Sequence, residues 1–155
     1  MRAVFQRVSR AEVRSEGCVV GRIGSGAVVL LGVAKSDTEA DAVKLADKVA
    51  KLRVFDDADG KMNLPISSVV DGKFIVVSQF TLLGETAKGN RPSYIEAAPP
   101  EQAEPLYEKF VGCLRGMGFV VETGVFRTMM QVELVNDGPV TLWLDTGTNE
   151  RNSGF

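Results

Sequence analysis

Runs of apolar residues divide the chain into strands that alternate with two helices. The β-branched segments at Met1–Arg10, Ala27–Val33 and Lys73–Gln79 predict strands, and the last two have the length and apolarity of buried ones. Turn residues at Ser15–Gly17 lie between short apolar runs and predict a hairpin over Ala11–Gly24. Closing strands are predicted at Phe119–Glu122, Gln131–Val135 and Val140–Leu144.

The two helices are marked by capping residues and by apolar positions at helical spacing. Ser36–Glu39 supplies N-cap residue types before the first helix. Pro99–Glu101 opens the second, whose apolar stripe runs from Ala103 to Leu114, with Pro105 expected to displace its start or kink it. The order of strands, helix, strands, helix, strands predicts a single α+β domain with a mixed or antiparallel sheet.

Composition limits the classes of protein that fit. The 155 residues suit one domain, and with no apolar run of 18 residues and no signal-peptide pattern we expect a cytoplasmic protein that does not span a membrane. Residues 146–155 are polar and are expected to form a tail after a domain at 1–145. A net charge of −2 argues against a protein that grips long duplexes, but it allows contact with a few phosphates at one end of an RNA.

The chain contains no histidine, which restricts the chemistry open to it. Ser-His-Asp and Cys-His catalysis and the usual His-containing zinc sites are excluded, and we expect neither a metal nor a cofactor. The two cysteines, Cys18 and Cys113, are expected to be buried thiols and not a disulfide. Hydrolysis would have to use carboxylates, a hydroxyl, the backbone or the substrate itself.

Two short segments are candidates for binding. Ser78, Gln79, Phe80 and Thr81 lie where a buried strand runs into a long loop, a common place for binding residues, although such hydroxyls also bond loop backbone. Asn136–Pro139 separates two alternating strands, and Asp-Gly there predicts an ordinary hairpin turn. Its Gly-Pro bond is one of the few that can be cis, which would present stiff backbone carbonyls.

Three cations could contact phosphate or carboxylate groups, or could simply be solvated. They are Arg7, Lys88 and Arg91.

These segments, SQFTL and NDGPVT, resemble the signature segments of the D-aminoacyl-tRNA deacylase (D-tyrosyl-tRNA deacylase) family. The resemblance extends in order through MRAVFQRVSRAEV, LLGV, RVFDDADGKMNL, KGNRPSY and AAPPEQAEPLYEKF to about Asp145. It implies a homodimer with a barrel-like core on which the two helices pack. It also implies hydrolysis of the ester that joins a D-amino acid, or glycine on a non-cognate tRNA, to the tRNA 3′ end.

The resemblance assigns roles to particular residues. It implies a pocket shared across the dimer interface, with Ser78–Thr81 from one subunit and a cis Gly138-Pro139 from the other, which excludes L side chains. Arg7 matches the arginine that orients this motif, and Phe126 matches an aromatic residue at the terminal adenosine. Met130 is a further pocket residue, and the residues before it, Thr128 and Met129, depart from the small and acidic pair common in the family.

The resemblance also implies a mechanism without a side-chain base, in which the 2′-hydroxyl of the terminal adenosine assists water. Gln79, Phe80 and Thr81 are then the catalytic segment, with Thr81 positioning the substrate and N–H groups near Phe80 holding the ester oxygen. Two alternatives stay open: a hydrolase with Thr81 as covalent nucleophile, and a non-catalytic module that captures an RNA 3′ end.

Overall fold

The structure is a computed structural model, and it describes residues 1–147. In chain order the described strands are β1 (Arg2–Ser15), β2 (Cys18–Ile23), β3 (Gly26–Gly32), β4 (Phe55–Asp56), β5 (Met62–Leu64), β6 (Lys73–Ser78), β7 (Val121–Thr123) and β8 (Met130–Asp145). The helices are α1 (Glu39–Lys51) and α2 (Pro100–Gly116). The predicted alternation of strands with two helices is confirmed.

Six strands form one mixed sheet around a long first strand. The order is β2-β1-β3-β6-β7, and β8 pairs with the other edge of β1. The pairs made by β1 are antiparallel, whereas β3–β6 and β6–β7 are parallel. The sheet curls until β2 meets β7, since a Cβ added to Gly21 would lie 2.9 Å from the carbonyl oxygen of Thr123. The result is the nearly closed, barrel-like α+β fold.

Local sequence explains both helices. Asp41 accepts a hydrogen bond from the backbone N–H of Thr38 at 2.9 Å, which closes a capping box at the start of α1. Pro100 begins α2, where a missing N–H costs nothing. Pro105 does not displace the helix start, since α2 begins at Pro100 and continues unbroken through Pro105 to Gly116.

Apolar side chains fill both faces of the sheet. The larger cluster lies between the sheet and the two helices and includes Phe5, Val29, Leu45, Phe74, Val76, Phe110 and Leu114. A smaller cluster on the opposite face contains Val8, Ala11, Val13, Ile23, Val28, Ile75 and Val77. Burial on both faces explains why β3 and β6 read as continuous apolar runs.

The predicted hairpin turn at Asn136–Pro139 is wrong. Both flanking segments belong to β8 and pair with β1 in the same direction, Thr141 opposite Gln6 and Asn136 opposite Val8. Residues 137–140 therefore lie opposite the single residue Arg7 and form a large bulge. A bulge and a turn favour the same Asn, Asp and Gly residues, so the local sequence did not distinguish them.

Three other expectations need correction. The first strand does not end at Arg10 but continues to Ser15, since its second half pairs with β2 and β8. Cys18 is an exposed free thiol at the start of β2, not a buried one, and Cys113 is only partly buried. Of the predicted tail at 146–155, Thr146 donates its N–H to the Met1 carbonyl at 2.9 Å, and residues 148–155 lie outside the described part.

Candidate active site

A cavity of about 600 Å³ opens where β6 ends, beside the start of α2 and the loop between β7 and β8. Among residues 1–147, its walls contain no carboxylate, and Arg127 is the one charged residue. Such a mainly apolar pocket with a few polar groups is the usual form of a small-molecule site. The lining residues are Val33, Val77, Ser78, Gln79, Phe80, Ala98, Pro100, Ala103, Phe126, Arg127, Thr128, Met129, Met130 and Val132.

The segment Ser78–Leu82 is held at this cavity by the central sheet. Ser78 ends β6 opposite Leu31, and the N–H of Gln79 donates to the Leu31 carbonyl at 2.8 Å. The chain then turns into a 3-10 helix at Phe80–Leu83. Gly32 permits this close approach, because a Cβ there would lie 2.9 Å from the Gln79 carbonyl oxygen. The segment is thus fixed to a rigid strand end.

The three residues predicted to be catalytic do not all face the cavity. Gln79 and Phe80 line it, whereas Thr81 is exposed outside it. Phe80 is 56% exposed and packs edge-to-face on Tyr94, with ring centroids 5.1 Å apart. The Gln79 amide donates to the Thr81 hydroxyl. A primary amide is not a base, so this contact does not activate Thr81 as a nucleophile.

Phe126, another predicted binding residue, lies in the opposite wall and is supported from behind by a buried tyrosine. Its ring lies 6.0 Å from that of Tyr107, whose hydroxyl donates to the Val76 carbonyl at 2.8 Å. Burial raises the pKa of Tyr107 to about 12, so this phenol stays protonated at neutral pH. Tyr107 therefore supports the wall and does not transfer protons.

The wall between Phe126 and Met130 contains residues that sequence reasoning missed as site residues. The Ser15 hydroxyl donates to Thr128 Oγ1 at 2.9 Å, and the Thr128 hydroxyl donates to the Val125 carbonyl at the same distance. Ser15 also lies within 3.2 Å of the Met129 carbonyl oxygen. Arg127, which lies between Phe126 and Thr128, has a φ of 62°. No spacing in the sequence pointed to Arg127, because the adjoining residues Thr128 and Met129 are held by Ser15, which is distant in the chain.

The bulge in β8 presents Gly138 and Pro139 at the surface, joined by a cis peptide bond. Its base is tied by Asn136, whose side chain accepts the N–H of Val140 at 3.0 Å and donates to the Thr141 hydroxyl at 2.7 Å. These contacts are local, which explains why Asn and Thr stand at the ends of the segment.

Arg7 holds the same bulge from below. Only 8% of this residue is exposed, and its Nε donates to the Asp137 carbonyl at 2.8 Å. Its NH1 group donates to the Val54 carbonyl at 2.7 Å and to Asp56 at 3.2 Å. A Cβ added to Gly138 would lie 3.0 Å from the guanidinium, so only glycine lets the bulge rest on Arg7.

Within one chain, the bulge and the cavity are far apart. Val132 lines the cavity and pairs with Val13, whereas Asn136 pairs with Val8. At about 3.4 Å per residue, the β1 segment from Val13 to Val8 separates the two levels by about 17 Å. The structure thus brings Ser78, Gln79, Phe80, Phe126 and Met130 together, and it places Arg7, Gly138 and Pro139 at a second location.

The described part of the chain contains neither a cluster of metal-binding side chains nor a membrane-spanning helix. Residues 1–147 hold no cluster of three or more His, Cys, Asp or Glu side chains arranged to bind a metal ion. No helix in this range is long and apolar enough to cross a membrane.

Comparison with solved structures gives close matches in fold. A structure described as "c-Myc DNA Unwinding Element Binding Protein" superposes with a TM-score of 0.88 at 38% identity, covering 96% of this chain and 100% of that one. A structure described as "a probable eukaryotic D-amino acid tRNA deacylase" has a TM-score of 0.78 and covers 92% of this chain and 97% of that one. At 15% identity the second likeness concerns the fold alone.

Comparison of sequences identifies the family. A D-aminoacyl-tRNA deacylase of Anaeromyxobacter dehalogenans is 63% identical over 146 residues, 94% of this chain and 97% of that protein. One from Desulfitobacterium hafniense is 55% identical over 149 residues, 96% of this chain and 99% of that protein. The model of the family described as D-Tyr-tRNA(Tyr) deacylase matches residues 4–145. The chain therefore belongs to the D-Tyr-tRNA(Tyr) deacylase family.

Proposed function

We propose that this protein hydrolyses the ester bond of D-aminoacyl-tRNA, and of glycyl-tRNA charged on a non-cognate tRNA, releasing the free amino acid and the tRNA. Family membership supports the substrate class. The observation that carries the proposal is the cavity at the end of β6, which has a volume of about 600 Å³, room for an aminoacyl group, and is lined by Ser78, Gln79 and Phe80. Aminoacyl-tRNA is used in the cytoplasm, so the protein acts there.

The active site is shared between two copies of the chain. The bulge at Gly138-Pro139 lies about 17 Å along the sheet from the cavity of its own chain, so it can serve only the cavity of a partner. In the described residues, β8 pairs only with β1, which leaves a 16-residue edge available. Apolar side chains exposed on or next to this strand support the proposal that a second copy covers it. Met129, Val135 and Trp143 are 90%, 40% and 53% exposed.

A mixed dimer tests the shared site. Ala103→Trp fills the cavity, and Gly138→Val distorts the bulge, since a Cβ there meets Val140 at 2.9 Å. The Ala103→Trp homodimer should be inactive, and the Gly138→Val homodimer should cleave L- as well as D-aminoacyl-tRNA. Co-expressed with two different tags, the heterodimer has one open cavity, which faces the intact bulge of its partner, so it should keep about half of the wild-type activity on D substrates and should reject L substrates. A heterodimer that cleaves L-aminoacyl-tRNA, or a monomeric wild-type protein at working concentration, would contradict the arrangement.

The Gly138-Pro139 backbone rejects L-amino acids by steric exclusion. An L side chain would point at the backbone carbonyls of the bulge, whereas a D side chain or the hydrogen of glycine avoids them. The bulge is fixed by Arg7, which donates to the Asp137 carbonyl, and by Asn136, whose side chain accepts the Val140 N–H. Rejection of this kind needs a rigid element and no reactive side chain. It therefore suits a segment whose own functional groups are backbone atoms.

Catalysis proceeds without a protein base. The chain has no histidine and the described cavity walls hold no carboxylate, so the 2′-hydroxyl of the terminal adenosine assists the attack of water. Thr81 lies outside the cavity and positions the substrate through Gln79, which lines the cavity and donates to the Thr81 hydroxyl. Phe80 and Thr81 begin the 3-10 helix, where the first N–H groups lack a carbonyl partner within the helix and can hold the ester oxygen.

Deacylation of matched D-, L- and glycyl-tRNA is the direct test. We expect cleavage of the D and glycyl substrates and little of the L substrate. Thr81→Ala should retain substantial activity, and tRNA ending in 2′-deoxyadenosine should not be cleaved. Loss of activity in Thr81→Ala with cleavage of the deoxy substrate would instead indicate a Thr81 nucleophile, and tight binding without turnover would indicate a binding module.

A further inference from the structure

Arg127 is the one charged side chain in the described walls of the cavity, and the catalytic proposal gives it no role. It is exposed, and among residues 1–147 its side chain has no ion pair or hydrogen-bond partner. The nearest residues in sequence are Phe126 and Thr128, which also line the cavity. A lone guanidinium at the mouth of an otherwise uncharged pocket gives that mouth a local positive field.

The backbone at Arg127 adopts a conformation that an arginine does not favour. Its φ of 62° lies in the left-handed region, where residues with a Cβ are uncommon. The loop is nevertheless fixed there, because the Thr128 N–H and hydroxyl both reach the Val125 carbonyl and Ser15 secures Thr128. Glycine would relax this position, so the arginine is present in spite of its backbone cost. Conformations of this kind concentrate at functional sites.

We infer that Arg127 binds the phosphodiester on the 5′ side of the terminal nucleotide, and so positions the acceptor end of the tRNA. This inference rests on the proposed function. Its neighbour Phe126 faces the cavity, where the terminal adenosine must enter. A guanidinium matches the geometry of a phosphate, and the cavity walls described here offer no carboxylate to compete for it.

The exposure of Arg127 favours a phosphate over the carboxylate of an acidic amino acid. The aminoacyl group must lie inside the cavity, beside Ser78 and Gln79, to reach the end of β6. The polynucleotide has to remain outside. A side chain at the surface of the wall therefore meets the nucleic acid first, and its contribution should weaken as salt screens the contact.

The test compares Arg127→Gln with wild type on two substrates, D-tyrosyl-tRNA and the phosphate-free ester D-tyrosyl-adenosine. We expect the KM for the tRNA to rise about tenfold at low salt with kcat unchanged, because the contact is equal in the ground and transition states. The phosphate-free ester should be cleaved equally by both proteins. The slope of log KM against log salt concentration should change by about 0.7, the value for one phosphate of a single strand.

Three further variants separate this role from a structural one. Arg127→Lys should recover part of the affinity, and Arg22→Gln, which removes an exposed arginine from β2, should change nothing. Arg127→Gly should lose affinity for the tRNA as Arg127→Gln does, while its melting temperature stays equal to or above that of wild type.

Two results would overturn the inference while leaving the proposed function intact: an unchanged KM for the tRNA, or an equal loss on the phosphate-free ester. The second would assign Arg127 to the adenosine or the amino acid. Wild-type protein that cleaves neither substrate would refute the proposed function and this inference with it.

Discussion

Replacement of Arg7 by methionine tests whether a buried guanidinium fixes the bulge in β8. Methionine keeps an unbranched apolar stem in the same space but donates no hydrogen bond. The change removes the bonds to the carbonyls of Asp137 and Val54 and to the carboxylate of Asp56. Asp137 lies in the bulge, whereas Val54 and Asp56 lie at β4. Arg7 therefore links β4 to the bulge.

The loss can be estimated bond by bond. Each charged hydrogen bond to a carbonyl is worth about 1.5–3 kcal/mol, and the contact with Asp56, whose side chain is 56% exposed, contributes under about 1 kcal/mol. Water reaches the exposed Asp137 once the bulge opens, which returns part of this energy. We expect the free energy of unfolding to fall by about 3 kcal/mol and the melting temperature by about 6–12 °C.

Urea denaturation measures the global effect, and hydrogen exchange measures the local one. The N–H of Val140 is bonded to the Asn136 side chain at 3.0 Å within the bulge, and we expect its protection to fall more than that of β3. Discrimination between D- and L-aminoacyl-tRNA should fall as well. Arg10→Met is the matched control, since Arg10 is exposed, pairs with Glu133 and should change stability by less than about 0.5 kcal/mol.

Arg7 does not fix the bulge if the free energy of unfolding of Arg7→Met lies within about 0.5 kcal/mol of the wild-type value. The same conclusion follows if stability falls but protection at Val140 does not change, since Arg7 would then support the fold without holding the bulge. Arg7→Lys distinguishes charge from geometry: one ammonium cannot reproduce the separate Nε and NH1 contacts, so we expect it to recover only part of the loss.

Three more substitutions have measurable outcomes. Gly32→Ala should destabilise the fold by about 1–3 kcal/mol in urea denaturation and reduce deacylation, because a Cβ meets the Gln79 carbonyl at 2.9 Å. Asp37→Asn should cost about 3–5 kcal/mol of unfolding free energy, since it leaves the buried Met1 ammonium, now 2.6 Å from Asp37, without its counter-charge. Tyr107 has its pKa raised from 10.0 to about 12 in the fold, so its contribution of roughly 2–3 kcal/mol is complete below pH 10 and is lost as pH rises through 12. Tyr107→Phe should abolish that alkaline loss in titrations of stability.

Short-range patterns predicted the elements well where local energetics decide them. The capping residues before α1, Pro100 at the start of α2 and the apolar runs of β3 and β6 each appear in the structure as expected. The bulge could not be predicted in this way. Asn136–Pro139 has the residues of a turn, and only the pairing of both halves of β8 with β1 shows that the chain does not reverse.

The site residues also differ in how far local sequence predicts them. Ser78–Thr81 could be located from its position at a strand end, but the facing of its side chains depends on the 3-10 helix that follows, which leaves Thr81 outside the cavity. Arg127 carried no signal because the loop that contains it is held by a bond between Thr128 and Ser15, which is distant in the chain. Contacts between residues far apart in sequence decide such features, and spacing along the chain does not record them.

The separation of cavity and bulge along β8 gives the proposed chemistry a physical basis. A backbone segment that discriminates by shape must move less than the difference in side-chain position between L and D substrates. Here Arg7 and Asn136 hold the segment in place, and the walls of the cavity do not. The cavity walls can then change without disturbing the bulge. We therefore expect changes at Phe126–Met130 to alter affinity and substrate range, and changes at Arg7 or Gly138 to alter selection between D and L substrates.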